Sequence, residues 1–231
     1  MIQIKNCPVC GGLSFFRQKV LWQELISDWQ LSPVEVEYID RQQGYACKSC
    51  GNNLRSMALA GAILSAYKFS GTLSEFVHSD LARELSVLEI NDAGGLSAIL
   101  NELPNHRLVR YPDYDMTNLA FASDSFDLVI HSDTLEHVPQ PIAGMSECKR
   151  VLKTEGRCIF TAPIVVGRLS RTRAGLKESY HGTSGQENAD YVVHTEFGAD
   201  IWRYVLEAGF GAVKLHCLDY PAGVAIEATL K

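Results

Sequence analysis

The sequence predicts an α/β fold, a mainly parallel sheet covered by helices, with a small cysteine-based module in front of it. Three observations carry this. Residues 123–163 run through strand, helix and strand patterns, residues 86–95 form a second apolar strand leading into a glycine-bearing turn, and two Cys-x-x-Cys-Gly words stand near the amino terminus. Length and composition agree. At 231 residues, 46% hydrophobic and 21% charged, the chain has room for one α/β domain and a small accessory module.

Cys7-Pro8-Val9-Cys10-Gly11-Gly12 and Cys47-Lys48-Ser49-Cys50-Gly51 are separated by 36 residues. Each turn sets two thiolates on one side of an ion, and its glycine permits the tight backbone. Two turns complete a tetrahedron, so Cys7, Cys10, Cys47 and Cys50 are read as ligands of a structural Zn2+. Four unrelated thiols would have no reason to share this spacing, and a redox pair would not need a second copy. Between the turns, VLWQELISDWQ predicts a helix with Trp22, Leu25, Ile26 and Trp29 on one face. That face is read as core in preference to a partner-binding surface. Ser32-Pro33 opens another helical or turn segment with Glu35 in its first turn. The module is taken as residues 1–55 and the main domain as 56–231, joined through an amphipathic helix over 53–69 without a flexible linker.

Residues 72–85 predict one more helix, and Ser86-Val87-Leu88-Glu89-Ile90-Asn91 the first central strand, with an apolar helix through Leu103 after its turn. Phe126 to Ser132, FDLVIHS, reads as a buried parallel strand. Beyond Pro139 and Pro141, the residues Ile142, Met145, Cys148, Val151 and Leu152 fall at helical spacing. Lys149, Arg150 and Lys153 suit the negative end of that helix, and Gly156 marks a turn before the strand CIFTAP, 158–163. Such a unit is right-handed, and its ligands gather at the carboxyl ends of the strands. FGADIWRYVLEAGF predicts a last helix with Ile201, Tyr204, Val205 and Leu206 toward the sheet and Gly209 at its stop. GAVKLHCLD and GVAIEATLK follow as an antiparallel pair, with Cys148, Cys158 and Cys217 expected as buried packing residues.

SDSFDLVIHSDTLEHV followed by RVLKTEGRCIFTAP resembles the core of class I S-adenosylmethionine-dependent methyltransferases of the small-molecule type 11 kind, over about residues 86–163. The resemblance implies a Rossmann-like sheet and S-adenosylmethionine as methyl donor. In register with the family's glycine-rich turn, Glu89 takes the acidic position and Gly95 the third glycine, while Asn91 and Ala93 stand where the first two glycines are usual, with Gly94 between Ala93 and Gly95. A second departure follows. Residues 107–126 allow about one strand and a loop where the family has more, so the sheet is expected to be compact and short of a strand. Asp115 to Phe121 matches the family's D-x-x-x-LPF word with Ala120 for proline, which implies that Asp115 meets the adenine amino group and Met116 covers the ring. Asp113 is the candidate ribose acid, with a solvated turn aspartate as the other reading. His131 and Ser132, and the loop through His137 after them, fall over the sulfonium by the same resemblance. His137 is a candidate base or a hydrogen-bonded structural histidine.

Residues 164–196 are polar, glycine-bearing and too long for a plain connection, which predicts an acceptor loop or lid. Arg168, Arg171, Arg173 and Tyr180 are its candidate substrate contacts, and His181, His194 and Glu196 its candidate bases. A basic solvated loop, a polar lid and a two-histidine, one-carboxylate metal site are the competing readings of the same residues. The net charge of −6, with neither half of the chain basic, argues against an open nucleic-acid platform. No apolar run is long enough to cross a membrane and no secretion signal is evident, so a cytoplasmic protein with reduced thiols is expected. A small-molecule acceptor, including sugars or their nucleotide-linked forms, fits this balance. The rivals are an RNA or protein methyltransferase gripping substrate with the zinc module, and a non-catalytic scaffold that kept the fold.

Overall fold

A computed structural model describes residues 4–180 and 189–231. Between the two cysteine turns lie β1 (Phe15–Arg17), α1 (Gln23–Asp28), α2 (Pro33–Gly44) and β2 (Tyr45–Cys47). β1 pairs antiparallel with β2, Phe15 opposite Cys47, which holds the second turn beside the segment that follows the first. α2 opens with a capping box in which the Ser32 hydroxyl accepts from the Glu35 amide and the Glu35 carboxylate accepts from the Ser32 amide. α3 (Leu54–Ala66) begins on an Asn53 cap and is buried along most of its length. The helix expected over 72–85 is two short ones, α4 (Leu73–Phe76) and α5 (Asp80–Arg83). The break has a local cause, because Ser79 donates to the Phe76 carbonyl and accepts from the Ala82 amide, starting a new helix.

Then come β3 (Val87–Ile90), α6 (Ser97–Leu100), β4 (His106–Val109), β5 (Phe126–Ser132), α7 (Pro141–Val151) and β6 (Leu152–Thr161). β7 (Ile164–Val165), β8 (Arg171–Thr172), β9 (Thr195–Gly198), α8 (Ile201–Glu207), β10 (Ala212–Asp219) and β11 (Gly223–Thr229) complete the order. Six strands form one sheet in the order β10-β11-β6-β5-β3-β4. β4, β3, β5 and β6 are parallel, and β11 lies antiparallel between β6 and β10. Among the described residues the sheet ends at β4, with no strand between β4 and β5, as the short sequence there requires.

β6 departs from expectation at its start. It runs straight on from α7, and the pairing jumps from Phe126↔Leu152 to Leu128↔Arg157, so the intervening residues bulge from the ladder. A Cβ on Gly156 would stand 2.9 Å from the Lys153 carbonyl and 3.0 Å from the Phe126 carbonyl, which makes the glycine a requirement of that bulge and not of a turn. Two further expectations are corrected. Leu206 is exposed on α8, and Cys217 is exposed because β10 is the sheet's outer strand. Cys148 and Cys158 are fully buried.

Alternation along β5 divides the core. Leu128 and Ile130 face the layer of α3, with Leu54, Met57 and Ile63, whereas Val129 joins Met145, Cys148 and Phe160 on the side of α7 and α8. Cys7, Val9 and Cys47 belong to the α3 layer, and the Leu73 amide donates to the Pro8 carbonyl at 2.8 Å. The cysteine turns are therefore packed onto the sheet's own helix. Among the described residues no helix is long and apolar enough to cross a membrane.

Candidate active site and cysteine cluster

The four amino-terminal cysteines converge. Cys7 Sγ lies 3.7 Å from Cys50 Sγ, and Cys10 Sγ lies 3.8 Å from Cys47 Sγ. In a tetrahedron with Zn–S bonds of ~2.3 Å the sulfur–sulfur edge is ~3.8 Å, so the spacing is that of a four-thiolate site. The backbone prepares it in the same way twice: the Gly11 amide donates to the Cys7 carbonyl and the Gly51 amide to the Cys47 carbonyl, with both glycines at left-handed φ of 78° and 74°.

Glu89 organises the turn after β3. It is fully buried, accepts from the Ala93 amide at 2.7 Å and from the Ser97 hydroxyl, and lies 2.8 Å from His106 Nε2. This carboxylate therefore shapes the loop from within. Asn91 adopts a left-handed φ of 57° without being glycine, and its Oδ1 accepts from the Tyr111 amide at 3.1 Å, tying the ends of β3 and β4. Gly94 is left-handed too, at 62°. A Cβ on Gly95 would come 2.6 Å from Asn52 Oδ1, since the start of α3 lies against the turn and Ser56 stands beside Gly94. Asn52 Oδ1 and Arg55 Nε are buried and have no hydrogen-bond partner among the described residues. An acceptor and a donor left over at this place fit the ammonium and carboxylate of an amino acid.

The adenine and ribose candidates separate. Asp113 and Asp115 are exposed, and Asp115 Oδ1 accepts from its own neighbour Thr117, from the amide at 2.7 Å and the hydroxyl at 2.8 Å. Met116 is buried in the α7 layer, where a Cβ on Gly144 would touch its side chain. At the end of β4, Arg110 makes a two-pronged pair with Asp92, at 2.7 and 2.8 Å, across the mouth of the turn.

At the carboxyl ends of β5 and β6 a cavity of about 410 Å³ opens between the sheet and the α1–α2 segment. Trp22, Leu25, Trp29 and Ile39 supply one wall, Pro163 and Val165 the other, and Gln43, Arg55, Asp133 and His137 the polar part. Of the stripe expected as core, Trp29 is buried with Val165 and Val193 and Leu25 packs against them, while Trp22, Leu25 and Trp29 also line the cavity. Asp133 holds a left-handed φ of 45°, a strained backbone for an aspartate. Its Oδ2 pairs with Arg55 and accepts from Gln43 Nε2 at 3.1 Å, and its buried Oδ1 has no donor among the described residues. Burial brings the Arg55 guanidinium down to about 10, with the charge of Glu136 opposing. His137 Nδ1 is 3.0 Å from the Val192 carbonyl, which can only accept, so Nδ1 donates there. Nε2 lies 3.6 Å from the buried Glu136 carboxylate.

Ser132 is buried and bonds the Thr161 hydroxyl at 2.8 Å. His131 is fully buried, stacked on Phe160 at 4.5 Å, with neither ring nitrogen partnered among the described residues. Burial holds its imidazole neutral, down to about 3, against a weaker pull from Glu136. Its ring is packed within the core against Phe160.

Among the described residues of the 164–196 segment the arginines are paired. Arg168 grips Glu35 at 2.7 and 2.8 Å, Arg171 grips Glu196 at 2.7 and 3.1 Å, and buried Arg173 pairs with the same Glu196. Tyr180 donates to Glu178 at 2.5 Å. The His194 amide donates to the Glu136 carbonyl at 2.7 Å, and burial, with the neighbouring His137, lowers its imidazole's affinity for protons. His181 lies outside the described residues. Gln43, Asn52 and Arg55 were not among the expected site residues, whereas Asp133 lies in the loop after β5 that was expected over the sulfonium.

Parts of the chain are similar to known proteins. Residues 61–160 match the model of the family described as "Methyltransferase domain". Over 132 residues the chain is 29% identical to the ubiquinone biosynthesis O-methyltransferase of Neisseria meningitidis serogroup A / serotype 4A, covering 57% of this chain and 50% of that protein. It thus spans about half the length of that relative. Solved structures resembling it include the citrinin polyketide synthase CMeT domain, at 12% identity, TM-score 0.47, with 91% of this chain and 60% of that chain covered. Another is Burkholderia thailandensis 1,6-didemethyltoxoflavin-N1-methyltransferase with bound 1,6-didemethyltoxoflavin and S-adenosylhomocysteine, at 13% identity, TM-score 0.38, covering 68% and 75%. The sheet order is that of a Rossmann-like fold. Residues 61–160 are similar to a methyltransferase domain, and a four-cysteine cluster lies beside them.

Proposed function

We infer that the protein is an S-adenosylmethionine-dependent methyltransferase acting on a small molecule, with a structural Zn2+ on Cys7, Cys10, Cys47 and Cys50. One observation carries the reading: the turn ordered by Glu89 and the 410 Å³ cavity both lie at the carboxyl edge of the same parallel sheet, on adjacent strands. Asn52 and Arg55 would hold the amino-acid end of the donor, beside Asn91, Ala93, Gly94 and Gly95, and Asp113 or Asp115 its nucleoside end. When bound, the donor supplies an electrophilic methyl group, which the acceptor's lone pair takes as the sulfur–carbon bond breaks and its electrons return to sulfur. His137 Nε2 would receive the acceptor's proton, and the imidazolium so formed would face the Glu136 carboxylate. Asp133, fixed by Arg55 and Gln43, would orient the acceptor. The paired state of Arg168, Arg171, Arg173 and Glu196 favours a scaffold role for the insert.

The glycine-poor turn keeps the scaffold rival in play, and calorimetry separates the two. Zinc-loaded protein is expected to bind S-adenosylhomocysteine with one-site stoichiometry and to lose most of that affinity in Arg55→Met. Absence of binding in folded, zinc-loaded protein would remove the enzyme reading.

A further inference from the structure

We propose that the second cysteine turn is part of the donor site: Asn52 and Ser56 are positioning residues that fix Gly94 and Gly95 for the methyl donor, so metal binding and donor binding strengthen each other. The inference rests on the methyltransferase reading and goes past it to what sets the donor's affinity. Its ground is a short path along the chain. Asn52 follows Cys50 and Gly51 directly, and the turn holds it by the backbone. The Cys47 amide donates to the Asn52 carbonyl at 3.0 Å, the Gly51 amide donates to the Cys47 carbonyl at 2.9 Å, and Asn53 bridges antiparallel to Ala46. The first turn closes over the second. A Cβ on Gly12 would stand 2.8 Å from Cys47 Sγ, and the Lys48 amide donates to the Ser14 carbonyl at 2.8 Å. Four thiolates sharing one ion would therefore fix the backbone that carries Asn52.

From that backbone two side chains reach the donor turn. A Cβ on Gly95 would meet Oδ1, Cγ and Nδ2 of the buried Asn52 at 2.6, 3.1 and 3.2 Å, so the carboxamide covers the glycine. Ser56 Oγ stands 3.5 Å from where a Cβ on Gly94 would be, and the Ser56 amide donates to Asn53 Oδ1 at 3.0 Å, the cap that starts α3. The donor turn is thus held from two sides. Glu89 binds the Ala93 amide from the sheet, and Asn52 and Ser56 bear on Gly94 and Gly95 from the start of α3. The first hold belongs to the sheet alone, whereas the second begins at the cysteine turn. Gly94 also keeps a left-handed φ of 62°, a conformation that an outside contact helps to select. Two sites that share one strut are coupled, and the coupling is reciprocal: the factor by which bound metal raises donor affinity is the factor by which bound donor raises metal affinity.

The test is a competition for zinc. The full zinc-loaded chain is titrated with a chromophoric chelator, with and without saturating S-adenosylhomocysteine, which should raise the zinc affinity about tenfold or more. In Asn52→Ala, shown to be folded by circular dichroism, the factor at saturating S-adenosylhomocysteine should fall to about threefold or less, and Asn52→Ser gives the same reading if alanine disturbs the fold. A metal that only stabilised the chain as a whole would leave the factor intact in both variants, because the link would then run through global folding. Zinc affinity unmoved by bound S-adenosylhomocysteine, a factor undiminished in both variants, or a folded chain that takes up no zinc overturns the proposal and leaves the methyltransferase reading standing. Failure of S-adenosylhomocysteine to bind folded, zinc-loaded protein strikes that reading instead.

Discussion

The Arg168–Glu35 clamp fixes the α1–α2 segment to the strand that leaves β7, and its strength can be worked out. Arg168 makes two bonds to Glu35 and one each to the Trp29 and Gln30 carbonyls, all at 2.7 to 2.8 Å. The Arg168 hydrogen bonds, against some burial, hold the Glu35 carboxyl down to about 2 from its ordinary 4.5. At about 1.36 kcal/mol per pH unit that interval is worth at most about 3 kcal/mol. The Arg168 side chain is 26% exposed, so screening reduces the expectation to about 2 kcal/mol. Because the folded value is depressed, the contribution is present in full above the unfolded value and fades as pH falls from about 4.5 toward 2. Urea unfolding of Glu35→Gln, Arg168→Met and the double variant gives the coupling energy. It should be about 2 kcal/mol near neutral pH and shrink toward zero near the folded value of about 2. A coupling under about 0.5 kcal/mol at neutral pH, or one unchanged by acid, would refute the reasoning.

Four further outcomes are expected. Metal analysis should find about one zinc per chain, lost in Cys47→Ser together with cooperative thermal unfolding of the α1–α2 region. Gly95→Ala should cost about 1–3 kcal/mol in urea unfolding and weaken S-adenosylhomocysteine, because its Cβ meets the Asn52 carboxamide, and Asn52→Ala in the same chain should restore part of the stability. His137→Gln should lower kcat by about 10²-fold or more with KM changed little, measured by transfer of labelled methyl. His131→Leu should make the protein more resistant to acid: the folded imidazole resists protonation down to about 3 while the unfolded one titrates near 6.5, so wild type loses stability across that interval and the variant should not, as followed by circular dichroism against pH.

Much of the fold was legible because its signals are local. FDLVIHS became β5 with the same limits, and the two cysteine words closed into one cluster. The missing strand could be read from chain length alone, since the residues between β4 and β5 cannot hold a strand, a helix and a second strand. What failed was decided by contacts the sequence does not display. Gly156 looked like a turn because glycine usually punctuates, yet here it relieves a clash inside a bulge of β6. Cys217 looked buried by its apolar neighbours, but only the strand order reveals that β10 is an edge.

The site was less legible than the fold, for a physical reason. Residue type announces charge but not whether that charge is already spent. Arg168, Arg171, Arg173 and Glu196 read as substrate contacts and a base, and in the folded chain they pair with one another or with Glu35. The Trp22–Trp29 stripe divides: Trp29 is buried with Val165 and Val193 as an apolar helix face ordinarily is, and Trp22 and Leu25 line the cavity near Asp133, Arg55 and Gln43. Residue type does not show that Asp133, Arg55 and Gln43 pair with one another at the cavity floor, because that pairing is made only when α2, α3 and the end of β5 come together in the folded chain.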